Sequence, residues 1–119
     1  MSVQFTPIYN AIRALTCILG LSLCAWGTAN ACTATACGPE MVGLLYTTAS
    51  GLVYVQPSSS VAALSCTTVS GTYIVLNPAA ANFRELYAAL LSAKISGSNV
   101  TIAMDVTQST CTVGYVLNN

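Results

Sequence analysis

The chain has 119 residues, of which 55% are hydrophobic and only 5% carry a charge, a composition that excludes an intrinsically disordered protein. Three basic and three acidic side chains give a net charge of zero, so no basic patch can form of the kind that binds nucleic acid or anionic lipid. The length is enough for one domain with one core.

The first 31 residues have the pattern of a secretory signal peptide. Arg13 precedes an apolar run, 14–26, that is too short to span a bilayer as a mature helix. Ala29 and Ala31 are the small residues that a signal peptidase requires three places and one place before its cut. We therefore expect residues 1–31 to be removed, leaving a single exported domain, 32–119, in the periplasm or outside the cell and without a membrane span. Lipid attachment at Cys32 is the alternative fate of the new N-terminus.

The mature part would keep four cysteines, Cys32, Cys37, Cys66 and Cys111. An even number of cysteines in an oxidising compartment predicts two disulfides. The chain has no histidine, and the spacing of the four cysteines does not favour a zinc site, so we expect no metal and no cofactor.

The predicted elements begin with a hairpin. After a short head, 32–39, two β-prone runs, 41–48 and 52–55, flank a three-residue connection that contains Gly51. Residues 57–60 end the second run. Two further β-prone pieces, 61–69 and 72–76, form either one bent strand or two strands.

A helix is then predicted from apolar residues that recur at three- and four-residue steps: Phe83, Leu86, Tyr87, Leu90 and Leu91. Asn82 is its expected N-cap, with Glu85 completing a capping box, and Gly97 is its expected C-cap. Strands over 100–104 and 111–117 follow.

This mainly β order with one helix, β-β-β-α-β-β, fits a small OB-like five-stranded barrel, in which the helix lies between the third and fourth strands. The third and last strands are neighbours in such a barrel, which favours a Cys66–Cys111 disulfide and leaves Cys32 to pair with Cys37. The sequence alone permits three pairings.

No catalytic set is evident, because the mature part offers three acidic side chains, no histidine, and serines without a partner base. Glu85 is expected to cap the helix, Asp105 to belong to a turn and Glu40 to be a solvated residue at the start of a strand. We therefore predict that the protein is not an enzyme and has no catalytic residue.

The candidate ligand-binding residues are Tyr46, Tyr54 and Tyr73, since tyrosine offers a ring face for stacking and a hydroxyl for hydrogen bonding. The alternative role of these rings is ordinary cross-strand packing.

Residues 82–86 at the start of the helix, Gly97 after it and residues 100–102 entering a strand resemble the binding (B) subunits of pertussis-like and subtilase AB5 toxins. The resemblance covers mainly residues 82–117 and extends to a broader set of small exported proteobacterial proteins. It implies an OB-like fold, a homo-oligomeric ring of five subunits and glycan recognition on the barrel. We accordingly expect an exported binding or assembly module with a glycan ligand, or alternatively an accessory envelope protein that packs on a protein partner.

Overall fold

The computed structural model describes residues 32–119, so the predicted signal peptide, 1–31, lies outside the described residues. The domain is mainly β with one helix. Its elements in chain order are β1 (Ala36–Glu40), β2 (Val42–Thr47), β3 (Val53–Pro57), β4 (Ile74–Leu76), α1 (Phe83–Ser96), β5 (Val100–Met104) and β6 (Val113–Asn118).

The six strands form two antiparallel sheets of three strands each. The first sheet has the order β1-β5-β6 and the second has the order β2-β3-β4. The chain passes from the first sheet to the second at Met41, between β1 and β2. On the other side, Val75 of β4 forms an isolated parallel bridge with Thr112, and the Val75 N–H donates to the Cys111 carbonyl at 2.8 Å. The mainly β class and the order of the elements are as predicted. Within residues 32–119 the strands form two linked sheets of three strands, and no single closed sheet is present.

The predicted hairpin is confirmed. β2 and β3 pair in antiparallel register from Val42 opposite Pro57 to Thr47 opposite Val53, with an irregularity at Gly43. Gly51, which has a φ of +85°, lies in the connecting turn, and its N–H donates to the Thr48 carbonyl at 3.0 Å. A positive φ is a conformation that glycine adopts without the steric cost of a side chain.

Two other segments differ from the prediction. Residues 36–39 of the predicted head, together with Glu40, form β1, which pairs with β5, although Gly38 and Pro39 are residues that usually interrupt strands. Residues 61–69, predicted as a strand, instead contain turns and isolated bridges, such as the parallel bridge from Thr67 to Thr110. Both differences arise because strand pairing depends on distant partners more than on local preference.

The predicted helix is also confirmed, and it ends as expected at Gly97, which has a left-handed φ of 68°. Asn82 occupies the N-cap position, but its side chain makes no capping hydrogen bond, so the predicted capping box with Glu85 was wrong. The reason is that Asn82 has a ψ of 20° instead of the extended backbone that a side-chain cap requires. Its carbonyl still accepts the first helical hydrogen bond, from the Leu86 N–H at 3.0 Å.

The core lies between the two sheets and the helix. Alternate residues of the strands point inward, as the two-residue period of a strand requires. The helix contributes Leu86, Leu90 and Ala93, and packs against β2 and β6. The most deeply buried aliphatic side chains are Val53, Val55, Ile74, Leu76, Leu90, Val100 and Ile102.

Candidate functional site

Three tyrosines meet on the outer face of the second sheet. Since Val53 and Val55 of β3 point into the core, Tyr54 between them points outward. Tyr46 of β2 lies directly opposite Tyr54 in the register of the hairpin. Tyr73 comes two residues before Val75, the β4 residue that pairs with Tyr54, so it reaches the same face diagonally.

The ring geometry of this tyrosine cluster, Tyr46, Tyr54 and Tyr73, is close and mutual. The ring centroids of Tyr46 and Tyr54 lie 5.4 Å apart, those of Tyr46 and Tyr73 lie 5.6 Å apart, and those of Tyr54 and Tyr73 lie 5.9 Å apart. The Tyr46 and Tyr73 rings meet edge to face, at an interplanar angle of 83°. These are the spacings and orientations that aromatic pairs prefer. The predicted residues thus form one group, and they also make the cross-strand contacts of the alternative interpretation.

The cluster perturbs the ionisation of its most exposed member. Tyr46 keeps 37% of its surface exposed. Desolvation by the neighbouring groups raises the pKa of Tyr46 above its ordinary value, and the proximity of the Tyr73 and Tyr54 phenols raises it further. The Tyr46 hydroxyl therefore remains a hydrogen-bond donor at and above neutral pH.

A polar cavity of about 150 Å³ adjoins the cluster. One of its lining residues, Gln56, follows Tyr54 by two residues on the same face of β3, and another, Thr72, directly precedes Tyr73. The cavity is lined by Gln56, Ser59, Ser60, Val61, Gly71 and Thr72. The aromatic surface is thus continued by hydroxyl and amide groups that sequence reasoning did not single out, because they come from three separate segments.

A larger cavity, of about 350 Å³, shares no residue with the tyrosine cluster or with the smaller cavity. It is bordered by Cys66 and by Asp105. The Asp105 carboxylate is held in a turn, as predicted, because Oδ1 accepts hydrogen bonds from the Thr107 hydroxyl at 2.6 Å and from the Thr107 N–H at 3.0 Å. These two bonds lower the pKa of Asp105. We place the candidate site at the tyrosines, because there the aromatic and polar groups converge on one face.

The expectation that Glu40 is solvated was wrong. Only 2% of Glu40 is exposed, and its Oε2 accepts hydrogen bonds from the Ser58 hydroxyl at 2.9 Å and from the Ser59 N–H at 2.7 Å. The cause is the passage of the chain from the first sheet to the second at Met41, which turns the end of β1 inward against residues 58 and 59. The sequence gives little indication that Glu40 is buried, since its hydrogen-bond partners lie 18 and 19 residues away along the chain.

Both predicted disulfides are present, Cys32–Cys37 and Cys66–Cys111. Together with Glu40, the first pair forms a group whose potential ligand atoms all lie within 4.8 Å of one another. Since both sulfurs are bonded to each other, they are not the free thiolates that bind zinc.

Two bonded cysteine pairs indicate an oxidising compartment, extracellular or periplasmic. The bond from Cys32 to Cys37 also leaves the Cys32 sulfur without the free thiol that lipid attachment needs. Among residues 32–119, no helix is long and apolar enough to cross a membrane.

No protein-family model, no curated protein and no solved structure matches this chain.

Proposed function

We propose that this protein is an exported, non-enzymatic binding module that recognises a glycan with the tyrosine cluster of its second sheet. The observation that carries the proposal is the convergence of Tyr46, Tyr54 and Tyr73, with all three centroid distances below 6 Å. Ring faces can cover the apolar side of a sugar, while the phenol hydroxyls and the neighbouring polar cavity can bond to its hydroxyl groups.

Charge supports a neutral ligand over an ionic one. The mature part has two basic side chains, Arg84 and Lys94, both on α1, and the Lys94 ammonium donates to the Gly43 carbonyl at 2.6 Å. The cavity next to the tyrosines is lined by residues without ionisable side chains. A polyhydroxyl ligand matches such a surface better than a nucleic acid does, because nucleic-acid affinity depends on several basic side chains.

A binding role over catalysis is supported by the surroundings of two of the three acidic side chains, Glu40 and Asp105. Glu40 is buried against Ser58 and Ser59, and Asp105 is held by Thr107. A general acid or base has to reach a substrate, and these carboxylates are instead engaged within the domain.

The OB-like barrel remains part of the proposal. It is supported by β1 and β2, which follow each other with one intervening residue and pair with β5 and β3, as a single bent first strand would. It is also supported by the parallel bridge between Val75 of β4 and Thr112, the residue before β6, which brings the third and last strands of such a barrel together.

The proposal is tested with the full chain, exported and processed, first on a glycan array and then by calorimetric titration with the best glycan. Tyr54→Ala should weaken binding at least tenfold, or about 1.4 kcal/mol, because the ring on the central strand of the second sheet, β3, is lost. Tyr54→Phe should keep the stacking surface and lose only the part of the binding free energy that the hydroxyl group contributes.

Tyr115→Ala is the matched control, since Tyr115 is an exposed strand tyrosine of the first sheet, outside the cluster. It should bind as the parent does. Unchanged affinity in Tyr54→Ala, or a protein that binds no glycan at all, would contradict the proposal.

A second candidate function, assembly on a protein partner or on further copies of the chain, is favoured by apolar residues exposed on α1 and β6. Leu91 and Ile95 are one helical turn apart, and 78% of Ile95 is exposed. Tyr115 and Leu117 alternate along β6, an edge strand of the first sheet, and each is more than half exposed. An exposed edge with apolar side chains is a surface that folded proteins normally cover.

Analytical ultracentrifugation of the exported protein, with cross-linking in the envelope, tests this second function. Ile95→Glu should dissociate an oligomer or release a protein partner without affecting glycan binding. A monomer without any cross-linked partner would eliminate it.

A further inference from the structure

The Glu40 carboxyl group has one buried oxygen without a hydrogen-bond partner among residues 32–119. Oε2 accepts two hydrogen bonds, from Ser58 and Ser59, whereas Oε1 is buried and has none within these residues. Buried acidic groups are normally paired with a donor or a cation, because an unpaired buried charge is costly. The site around Oε1 therefore calls for a donor that the described contacts do not supply.

The basic side chains of the mature part are engaged or exposed elsewhere. Lys94 donates to the Gly43 carbonyl, and Arg84 is exposed in the first turn of α1. A metal ion is not favoured here, because the two nearby sulfurs are bonded to each other.

Cys32 lies beside this carboxyl group. Its sulfur, the Cys37 sulfur and a carboxylate oxygen of Glu40 all lie within 4.8 Å of one another. The Ser59 hydroxyl, 3.8 Å from the Cys32 sulfur, belongs to the same residue whose N–H binds Oε2. Cys32 is only 5% exposed, and its α-nitrogen is separated from its sulfur by just three covalent bonds. The disulfide to Cys37 thus holds the Cys32 sulfur close to the Glu40 carboxyl group, with the Cys32 α-nitrogen three bonds from that sulfur.

The chemical state of that nitrogen depends on processing. In the precursor it is the neutral amide of the Ala31–Cys32 bond. When the export peptidase hydrolyses this bond, water adds to the Ala31 carbonyl carbon, the C–N bond breaks, and the nitrogen leaves with a proton as the α-amine of Cys32. An α-amine has an ordinary pKa of about 7.7–8.0 and is therefore mostly an ammonium ion near neutral pH.

We propose that cleavage between Ala31 and Cys32 creates the counter-ion of Glu40, so that processing of the exported chain completes the pairing of this buried carboxylate. Among neighbouring bonds, only this one gives a free amine at Cys32 when it is cleaved. A cut one residue earlier leaves an amide at Cys32, and a cut one residue later removes the cysteine that bonds to Cys37. The pairing of Glu40 and the signal-peptide pattern thus favour cleavage at the same bond, for two independent reasons.

The test uses the full chain with Lys94→Arg, exported and processed. Lys94 is the only lysine, so the α-amine is then the sole amine of the product. Mass spectrometry should place the N-terminus at Cys32. The amine is next acetylated in urea with the disulfides intact, the protein is refolded, and thermal unfolding is compared with that of the unmodified protein. Acetylation should lower the unfolding midpoint by about 8 °C or more, because it removes the positive charge from a buried pair.

Glu40→Gln in the same background is the matched control, because it keeps the size of the side chain and removes its charge. Acetylation should then change the midpoint by less than about 2 °C. Should Glu40→Gln fail to fold, Glu40→Asp keeps the charge with a shorter reach, and the acetylation effect should fall below that of the parent. Two results would overturn the proposal. One is a mature N-terminus at any residue other than Cys32. The other is an acetylation effect in Glu40→Gln, or in Glu40→Asp where that variant is used, that equals the effect in the parent.

Discussion

The first sheet and the second sheet each have three antiparallel strands and an inner face that packs against the core, yet their outer faces differ. The second sheet gathers Tyr46, Tyr54 and Tyr73 into one cluster beside a polar cavity. The outer face of β6 in the first sheet instead presents Tyr115 and Leu117. The inner faces are alike because both must fill one core, whereas each outer face is free to take residues suited to a ligand or a partner. The comparison supports our two proposals, that the second sheet binds the ligand and that the edge of the first sheet is a surface for assembly.

The largest effect is expected from the disulfide that joins the segments leading into the two sheets. Cys66 precedes β4 of the second sheet and Cys111 precedes β6 of the first, 45 residues later. Replacing both by Ala should lower the free energy of unfolding by about 4 kcal/mol, since a long loop is released in the unfolded chain. Replacing Cys32 and Cys37, which are five residues apart, should cost only about 2 kcal/mol.

Urea denaturation of the two double variants checks this difference. A larger loss from the short disulfide would show that packing around Glu40, and not loop closure, sets its contribution.

Smaller losses of stability are expected when two glycines are replaced, one where strands of the first sheet approach closely and one in an open turn beside the second sheet. Gly38 has a φ of +123°, and a Cβ atom there would press on the Val100 carbonyl oxygen and lie 2.9 Å from Thr101 Cα. Gly38→Ala should therefore cost about 3 kcal/mol, from backbone strain and overpacking together. Gly71 also has a positive φ, of +71°, but open space around it, so Gly71→Ala should cost about 1 kcal/mol.

Chemical denaturation of the two glycine variants measures both losses. Equal costs would mean that β1 does not approach β5 as closely as the structure has it.

The smallest effect concerns ionisation within the tyrosine cluster. The pKa of Tyr46 is raised in the folded protein by desolvation and by the neighbouring phenols. A raised folded-state pKa stabilises the fold below the ordinary value of about 10, and this stabilisation disappears as the pH rises through the folded-state pKa. Stability measured against pH should therefore fall above pH of about 10 more steeply in the parent than in Tyr46→Phe.

Phenolate absorbance gives a direct measurement. The titration curve of the parent minus that of Tyr46→Phe should show one phenol with a pKa above its ordinary value. An ordinary pKa for this phenol would mean that the three rings do not cluster in solution.

Sequence reasoning was most successful where structure is local. The hairpin β2–β3 follows from two β-prone runs and a turn glycine, and α1 follows from apolar periodicity and from Gly97. It was less successful where a partner is distant. β1 was missed because Gly38 and Pro39 disfavour a strand locally, while β5, its partner, lies some sixty residues away. The capping box was wrong because the backbone at Asn82 is set by the preceding turn, in which the Phe83 N–H donates to the Ala80 carbonyl.

The site shows the same division. The sequence singled out Tyr46, Tyr54 and Tyr73 by type, and strand alternation explains why such residues point outward. It did not indicate that Gln56 and Thr72 would line a cavity beside them, nor that Glu40 would be buried. Both features require segments that are far apart in the chain to meet.

The amino-acid sequence by itself determined the mainly β class, the helix, the hairpin and the set of four cysteines, because these follow from periodicity, turn residues and composition over short windows. Its barrel order also favoured the two disulfide pairs that are present. Only the tertiary structure decided that the strands form two linked sheets, that three tyrosines share one face, and that the Glu40 carboxyl group is buried beside Cys32. The physical reason is that pairing, clustering and burial depend on which distant residues come into contact, and that is settled only when the two sheets close over a common core.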